Sequence, residues 1–362
     1  MRSKQVFVVR LLLLGWLCLS VLTAHAVIVE DLYRTQVPVA DQSEAERKQA
    51  MGRALQNIVR KVSGTAAAAE HEQVLAAAEN AQRFVAEFGY EAGSGETPSM
   101  LRVVFAGGAI DRLLNEAGLP VWGENRPAVL TWIAVEEDGR RALVGSDGAS
   151  RLVAPLEQRA AERGLPLVVP LMDLEDSGKL SSADVWGFFF EPVKRASSRY
   201  NHDAILMARI ARAEGSLWQG HWQLQMQGEQ WSDRVTADSS AEVLNKVIDA
   251  VAEQMASRYA VAGVAAAGGD EVVMEITGIN SLRDFAQISQ YLGGVAPIRS
   301  AQPILAQPDR IRFRLTLKGT LNQVQEYFAL ERRLQPVIES VPMERTPAET
   351  AAAVQLHYRW QP

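Results

Sequence analysis

Hydrophobic and polar positions along the chain change rhythm from segment to segment, and each change marks a different kind of element. The opening has a basic start (Arg2, Lys4, Arg10), an apolar run from Leu11 to Thr23, and Ala24-His25-Ala26. That layout predicts a secretory signal peptide over residues 1–26, cleaved after Ala26. Its apolar run is about 13 residues, where a membrane span takes roughly 20.

From Val27 to Val39 the run reads as a strand stopped at Pro38. Ser43 with Glu46 three residues on has the pattern of a capping box. The helix it opens puts Met51, Leu55, Ile58 and Val62 on one face and ends at Gly64. An alanine-rich helix is expected from Glu70 to Phe88, then a strand Met100 to Ala106 and a short helix from Ile110 to Ala117. Pro120-Val121-Trp122-Gly123 closes this unit.

A second rhythm begins after Arg126-Pro127. Continuous apolar runs at Ala128–Glu136, Leu165–Met172 and Ala204–Ala211 read as buried strands, with helices between them over Arg151–Arg163 and Ala183–Arg199. Strands spaced by helices predict crossovers and a largely parallel core. Leu217 to Gln227 then alternates strictly, Trp222, Leu224 and Met226 against Gln223, Gln225 and Gln227, as an antiparallel strand with one wet face does. Gln230–Ala237 is its expected partner, and an amphipathic helix over Ala241–Tyr259 completes the unit.

After a small, uncharged stretch the order is strand, helix, strand, strand, helix, strand, strand, ending with Pro336–Ser340 and Val354–Trp360. Ile311, Phe313, Leu315 and Leu317 alternate with Arg312, Arg314 and Thr316. Its core is the βαββαβ order of a split βαβ sandwich. The chain is thus expected to be α+β / α/β, in several small mixed domains. These are an N-terminal α+β domain (27–123), an α/β domain with a mixed sheet (124–260), a linker (261–270) and a ferredoxin-like α+β domain (271–362).

Composition narrows the chemistry. Cys18 is the only cysteine and lies in the signal segment, so the exported chain forms no disulfide, which suits a bacterial periplasm. The net charge is −6, and the signal segment holds three basic residues and no acidic ones, so the remainder is more acidic still. Without a Lys/Arg-rich block, nucleic acid is a poor partner. His71, His202, His221 and His357 fall in four different elements with no HExxH, so no metal is assigned. G-x-S-x-G, P-loop and G-x-G-x-x-G patterns are absent, and no catalytic residue or cofactor is assigned.

Two candidate binding groups remain. Asp173, Glu175 and Asp176 follow an apolar strand, where open α/β sheets place ligand sites; they also suit helix capping. Trp218, Trp222 and Trp231 lie among glutamines in the expected hairpin, as a glycan or peptide platform or as core under the long helix.

Several stretches resemble an exported proteobacterial family catalogued as domain of unknown function 2066. They are Leu32-Tyr33 to Val39, the Ala50–Gly64 helix, Pro120-Val121-Trp122-Gly123, Arg126-Pro127, the run Arg163 to Asp176, and Ala196 to Tyr200. More distantly, the second unit is similar to the α/β modules of the TolB amino-terminal domain and of curli-type and penicillin-binding-protein-activating lipoproteins. That resemblance implies docking to envelope machinery, although this chain has neither a lipobox nor a propeller. The expectation is a non-catalytic periplasmic adaptor or accessory protein in cell-envelope assembly or maintenance, whose partners are envelope proteins met at sheet edges. An envelope hydrolase or glycan-modifying enzyme using the 173–176 acids, and a periplasmic binder of glycan or lipid using the tryptophans, are the alternatives.

Overall fold

The computed structural model describes residues 27–29, 31–93, 98–148, 150–213, 215–261, 270–331, 333–337 and 354–361. The signal segment and nearly all of the expected linker lie outside them. The described residues form an α+β multi-domain fold.

In the first unit, β1 (Val27–Ile28) and β2 (Arg34–Val39) replace the single expected strand, with a turn between them. Helix α1 (Glu44–Ser63) is capped by Ser43, whose Oγ accepts the Glu46 N–H at 3.2 Å. The expected Glu70–Phe88 helix is corrected. Only α2 (Glu72–Ala78) is α-helical, between two 3-10 turns, and Val85–Glu91 is strand β3. Alanine's helix propensity is a weak prior; the stronger demand is that β4 (Ser99–Phe105) have ladder partners on both sides, and it pairs with β2 and β3. Helix α3 (Gly107–Glu116) follows, and α1 packs Leu55, Ile58 and Val62 onto Val37, Leu101 and Val103.

The second sheet is mixed. After β5 (Asn125–Arg126), which pairs with β1, come β6 (Val129–Glu137) and β7 (Arg140–Leu143). They are joined by Asp138-Gly139 with φ of 52° and 73°, the left-handed pair that a tight hairpin requires. Helix α4 (Val153–Arg163) leads to β8 (Leu167–Val168), so the expected strand Leu165–Met172 shrinks to two residues. The expected Ala183–Arg199 helix is also divided. Helices α5 (Leu174–Lys179), α6 (Ser182–Trp186) and α7 (Phe190–Ser197) fill the crossover. Strands β9 (Ala204–Arg212), β10 (Trp218–Met226) and β11 (Glu229–Ala237) complete the order β11-β10-β9-β6-β7. The three apolar strands pair in parallel as expected, β6 with β9 and with β8, and the hairpin partners β7, β10 and β11 add antiparallel pairs, so the sheet is the expected mixed one. Helix α8 (Ser240–Tyr259) and α4 cover one face; α6 and α7 cover the other over β6 and β9.

The third sheet joins β12 (Glu271–Thr277), β13 (Ile298–Gln307), β14 (Arg310–Leu317), β15 (Leu334–Pro336) and β16 (Leu356–Trp360), with helices α9 (Leu282–Gly294) and α10 (Leu321–Glu331). The β13-β14-β12 core has the expected split-βαβ order. The chain end departs from it: β16 inserts parallel to β12 and separates it from the edge strand β15. The expected strand Pro336–Ser340 starts two residues early, and its last three residues are outside those described.

A buried arginine staples the first two units. Arg126 is fully buried, stacks 4.0 Å over Trp122, and donates all five of its N–H groups to carbonyls of Gly123, Arg163, Gly164, Lys61 and Trp122 at 2.8–3.1 Å. Burial pulls its pKa down to about 9, so it stays charged at neutral pH. Gly64 closes the same joint with φ 76°; a Cβ there would lie 2.2 Å from that of Ala256. One hydrophobic core runs on from the second sheet into the third, where Tyr327 donates to the Tyr259 carbonyl at 3.1 Å.

Candidate functional site

The acidic candidates converge on one arginine. Asp173 is the N-cap of α5, accepting the Glu175 and Asp176 N–H groups at 3.0 Å, and Arg199 forks onto its carboxylate at 2.7 and 2.9 Å. The same guanidinium lies 3.2 Å from Asp176 and 3.5 Å from Glu175. Asp176 is buried and accepts the Met172 N–H at 2.9 Å and the Tyr200 hydroxyl at 2.5 Å. Glu175 pairs with Lys179 at 2.7 Å.

Arg199 and the capping N–H groups hold Asp173 down at about 2, and Lys179 lowers Glu175. Burial, then the bond to Asp176, pushes Tyr200 up to about 12. This arrangement fixes the start of α5 and anchors the crossover to Tyr200. Proton transfer needs a carboxyl poised near neutrality, and this network drives Asp173 and Glu175 the other way. Among the described residues there is no group of three His, Cys, Asp or Glu placed to hold a metal.

The tryptophans do not share a surface. Trp218 and Trp222 are 7% and 4% exposed, on the β10 face under α8. Trp231, on β11 opposite Leu224, is partly buried, with Arg258 6.0 Å over its ring. Of the glutamines the alternation set on the wet side, Gln223 and Gln225 face away from that core, whereas Gln227 falls in the turn after β10 with a φ of 51°.

A feature that site-by-site reading of the sequence did not pick out is the free edge of the third sheet. Strand β13 is ten residues long and pairs, among the described residues, with β14 alone. Its register slips twice, between Ile298 and Ser300 and between Pro303 and Leu305. The second bulge turns Ile304 and Leu305 outward, each 41% exposed. Apart from Arg299 the strand carries no charge, and Gln302 to Gln307 are all exposed. The signal was available: Ser300 to Gln307 is an eight-residue run without Asp, Glu, Lys or Arg beside a strongly alternating partner.

A family model described as a domain of unknown function (DUF8605) matches residues 26–123, the first unit with one residue before it. It is a different model from domain of unknown function 2066. No curated protein matches the chain. One solved structure, titled "Crystal structure of uncharacterized protein", is similar at 13% identity and a TM-score of 0.16, covering 36% of this chain and 88% of its own, a likeness too slight to bear on the fold.

Proposed function

We propose that this is a non-catalytic adaptor or accessory protein of bacterial cell-envelope assembly or maintenance, exported to the periplasm, that docks a partner by accepting one of its strands along β13. The open edge carries the reading. Unpaired N–H and C=O groups on a sheet edge are a template for strand addition, and soluble proteins ordinarily blunt them with charge. Here the edge is long and nearly uncharged, and Ile304 and Leu305 give an incoming strand apolar anchors. Pro303 removes one donor and so confines pairing to short stretches on either side of it. The signal layout of residues 1–26 supports export, and the resemblance to the exported domain of unknown function 2066 points the same way.

The test is affinity capture from detergent-solubilised envelopes of the source bacterium, using the mature chain and an Ile304→Lys/Leu305→Lys variant whose circular dichroism and melting temperature match the parent. The expected result is a reproducible set of envelope proteins that the variant does not retain. Equal capture by both chains, or no reproducible set, would overturn the reading.

A further inference from the structure

The outer face of the second sheet is covered by helices over β6 and the start of β9, and left open over β10 and β11. At the border of the covered part three basic side chains stand in register on adjacent strands, Arg209 opposite His221 and His221 opposite Arg234. With Trp186, Ala211 and Gln219 they line an open cavity of about 400 Å³.

Arg209 is held without a carboxylate. It donates to the Trp186 carbonyl at 3.2 Å, lies 3.3 Å from His221 Nδ1, and sits 5.9 Å from the Trp186 ring and 5.3 Å from that of Phe188. Phe188 has a φ of 55°, a conformation that bulky side chains rarely adopt, and so presents its ring beside the guanidinium. Neither Arg209 nor Arg234 forms an ion pair with a carboxylate among the described residues. Arg141, 4.1 Å from the Trp186 ring, contrasts with them, since it pairs with Glu136 at 2.7 Å. Desolvation, then Arg234 and Arg209, lower the His221 pKa, and the ring nitrogen facing Arg209 is placed to accept.

Two guanidiniums across a neutral imidazole, in an acidic chain, form a local cationic site whose counter-charge is not supplied by the fold. Guanidinium forks match carboxylate and phosphate oxygens. Gln223 and Gln225 continue the same face along β10, with Gln225 bonded to Gln230 at 3.0 Å, and side-chain amides both donate to and accept from hydroxyls. We infer that this face binds an anionic saccharide, its carboxylate or phosphate between Arg209 and Arg234 and its hydroxyls on the glutamine ledge. The inference is independent of docking at β13.

The experiment follows the His221 ring by NMR, assigned with His221→Asn, and measures binding of trigalacturonate, maltotriose and inorganic phosphate by calorimetry at matched ionic strength. Trigalacturonate is expected to raise the His221 pKa, because an anion beside the ring favours its charged form. It should bind at least about tenfold more tightly than either maltotriose or phosphate, and Arg234→Met, at an exposed position, should weaken it at least about tenfold. Arg209→Met should do the same if it folds. Phosphate binding as tightly as trigalacturonate would overturn saccharide recognition. An unmoved His221 pKa, or Arg234→Met binding like the parent, would overturn the site itself.

Discussion

Strands β11 and β13 are both sheet edges, of nine and ten residues, and they are finished in opposite ways. Along β11, Asp233 Oδ1 accepts the Arg234 N–H at 2.7 Å, Lys246 donates to the Thr236 carbonyl at 2.9 Å, and Glu229 is tied to Arg258 at 2.7 Å. The first two contacts occupy backbone groups that a foreign strand would seek, and the third places an ion pair at the start of the edge. Along β13 no such guard is present among the described residues beyond Pro303 and two bulges, and two aliphatic side chains are exposed instead. One edge is thus guarded and the other bare, and this contrast is what the proposed docking at β13 rests on.

The joint that holds the amino-terminal unit to the sheet bearing β11 should be the most sensitive to substitution. Arg126→Met strands five carbonyls in the core and should cost about 3–5 kcal/mol in urea unfolding. A loss below about 1 kcal/mol would mean that the joint is held by apolar packing alone. Next come the edges themselves. Ile304→Lys/Leu305→Lys should weaken capture of envelope partners at least about tenfold, roughly 1.4 kcal/mol, whereas Gln230→Lys/Ser232→Lys on β11 should leave it unchanged. If the β11 variant is the one that loses partners, the contrast is inverted.

Removing the guards should make β11 resemble β13. Asp233→Ala/Lys246→Ala should raise the weight-average mass in sedimentation at high protein concentration, with a stability loss of about 1 kcal/mol. The smallest effect is a pH dependence. Burial pushes Lys61 down to about 8 from 10.5, even though its ammonium donates to the Asp31 carbonyl at 2.8 Å. Between those values the unfolded chain holds more protons than the folded one, so stability rises with pH. The parent should therefore gain on Lys61→Met as pH climbs from 8 to 10.5, and a flat difference would place the amine in contact with water.

Much of the architecture was legible in the sequence. The alternation of Ile311 to Leu317, the apolar run through Val135 and the Ser43 and Gly64 caps each became the expected element, because in each the local pattern and the burial agree. The Glu70–Phe88 segment was misread where alanine content outweighed a strand need set by β4, a partner distant in sequence. The insertion of β16 and the staple at Arg126 depend on contacts across the chain, to which periodicity is blind. For the candidate sites the limit was different. Trp218 and Trp222 gave the correct face of β10, yet the sequence left open which face the long helix covers. Asp173 to Asp176 carried a capping pattern as well as a ligand pattern, and Arg199, more than twenty residues on, decides between them. The edge status of β13 follows only from the strand order.

The most direct measurement is in-cell crosslinking with a photoreactive residue at position 305, and at position 232 on β11 as its counterpart, followed by mass spectrometry of the adducts. Docking at the open edge predicts a small, reproducible set of envelope proteins from position 305 and none from position 232. The same adducts from both positions, or adducts from 232 alone, would contradict it.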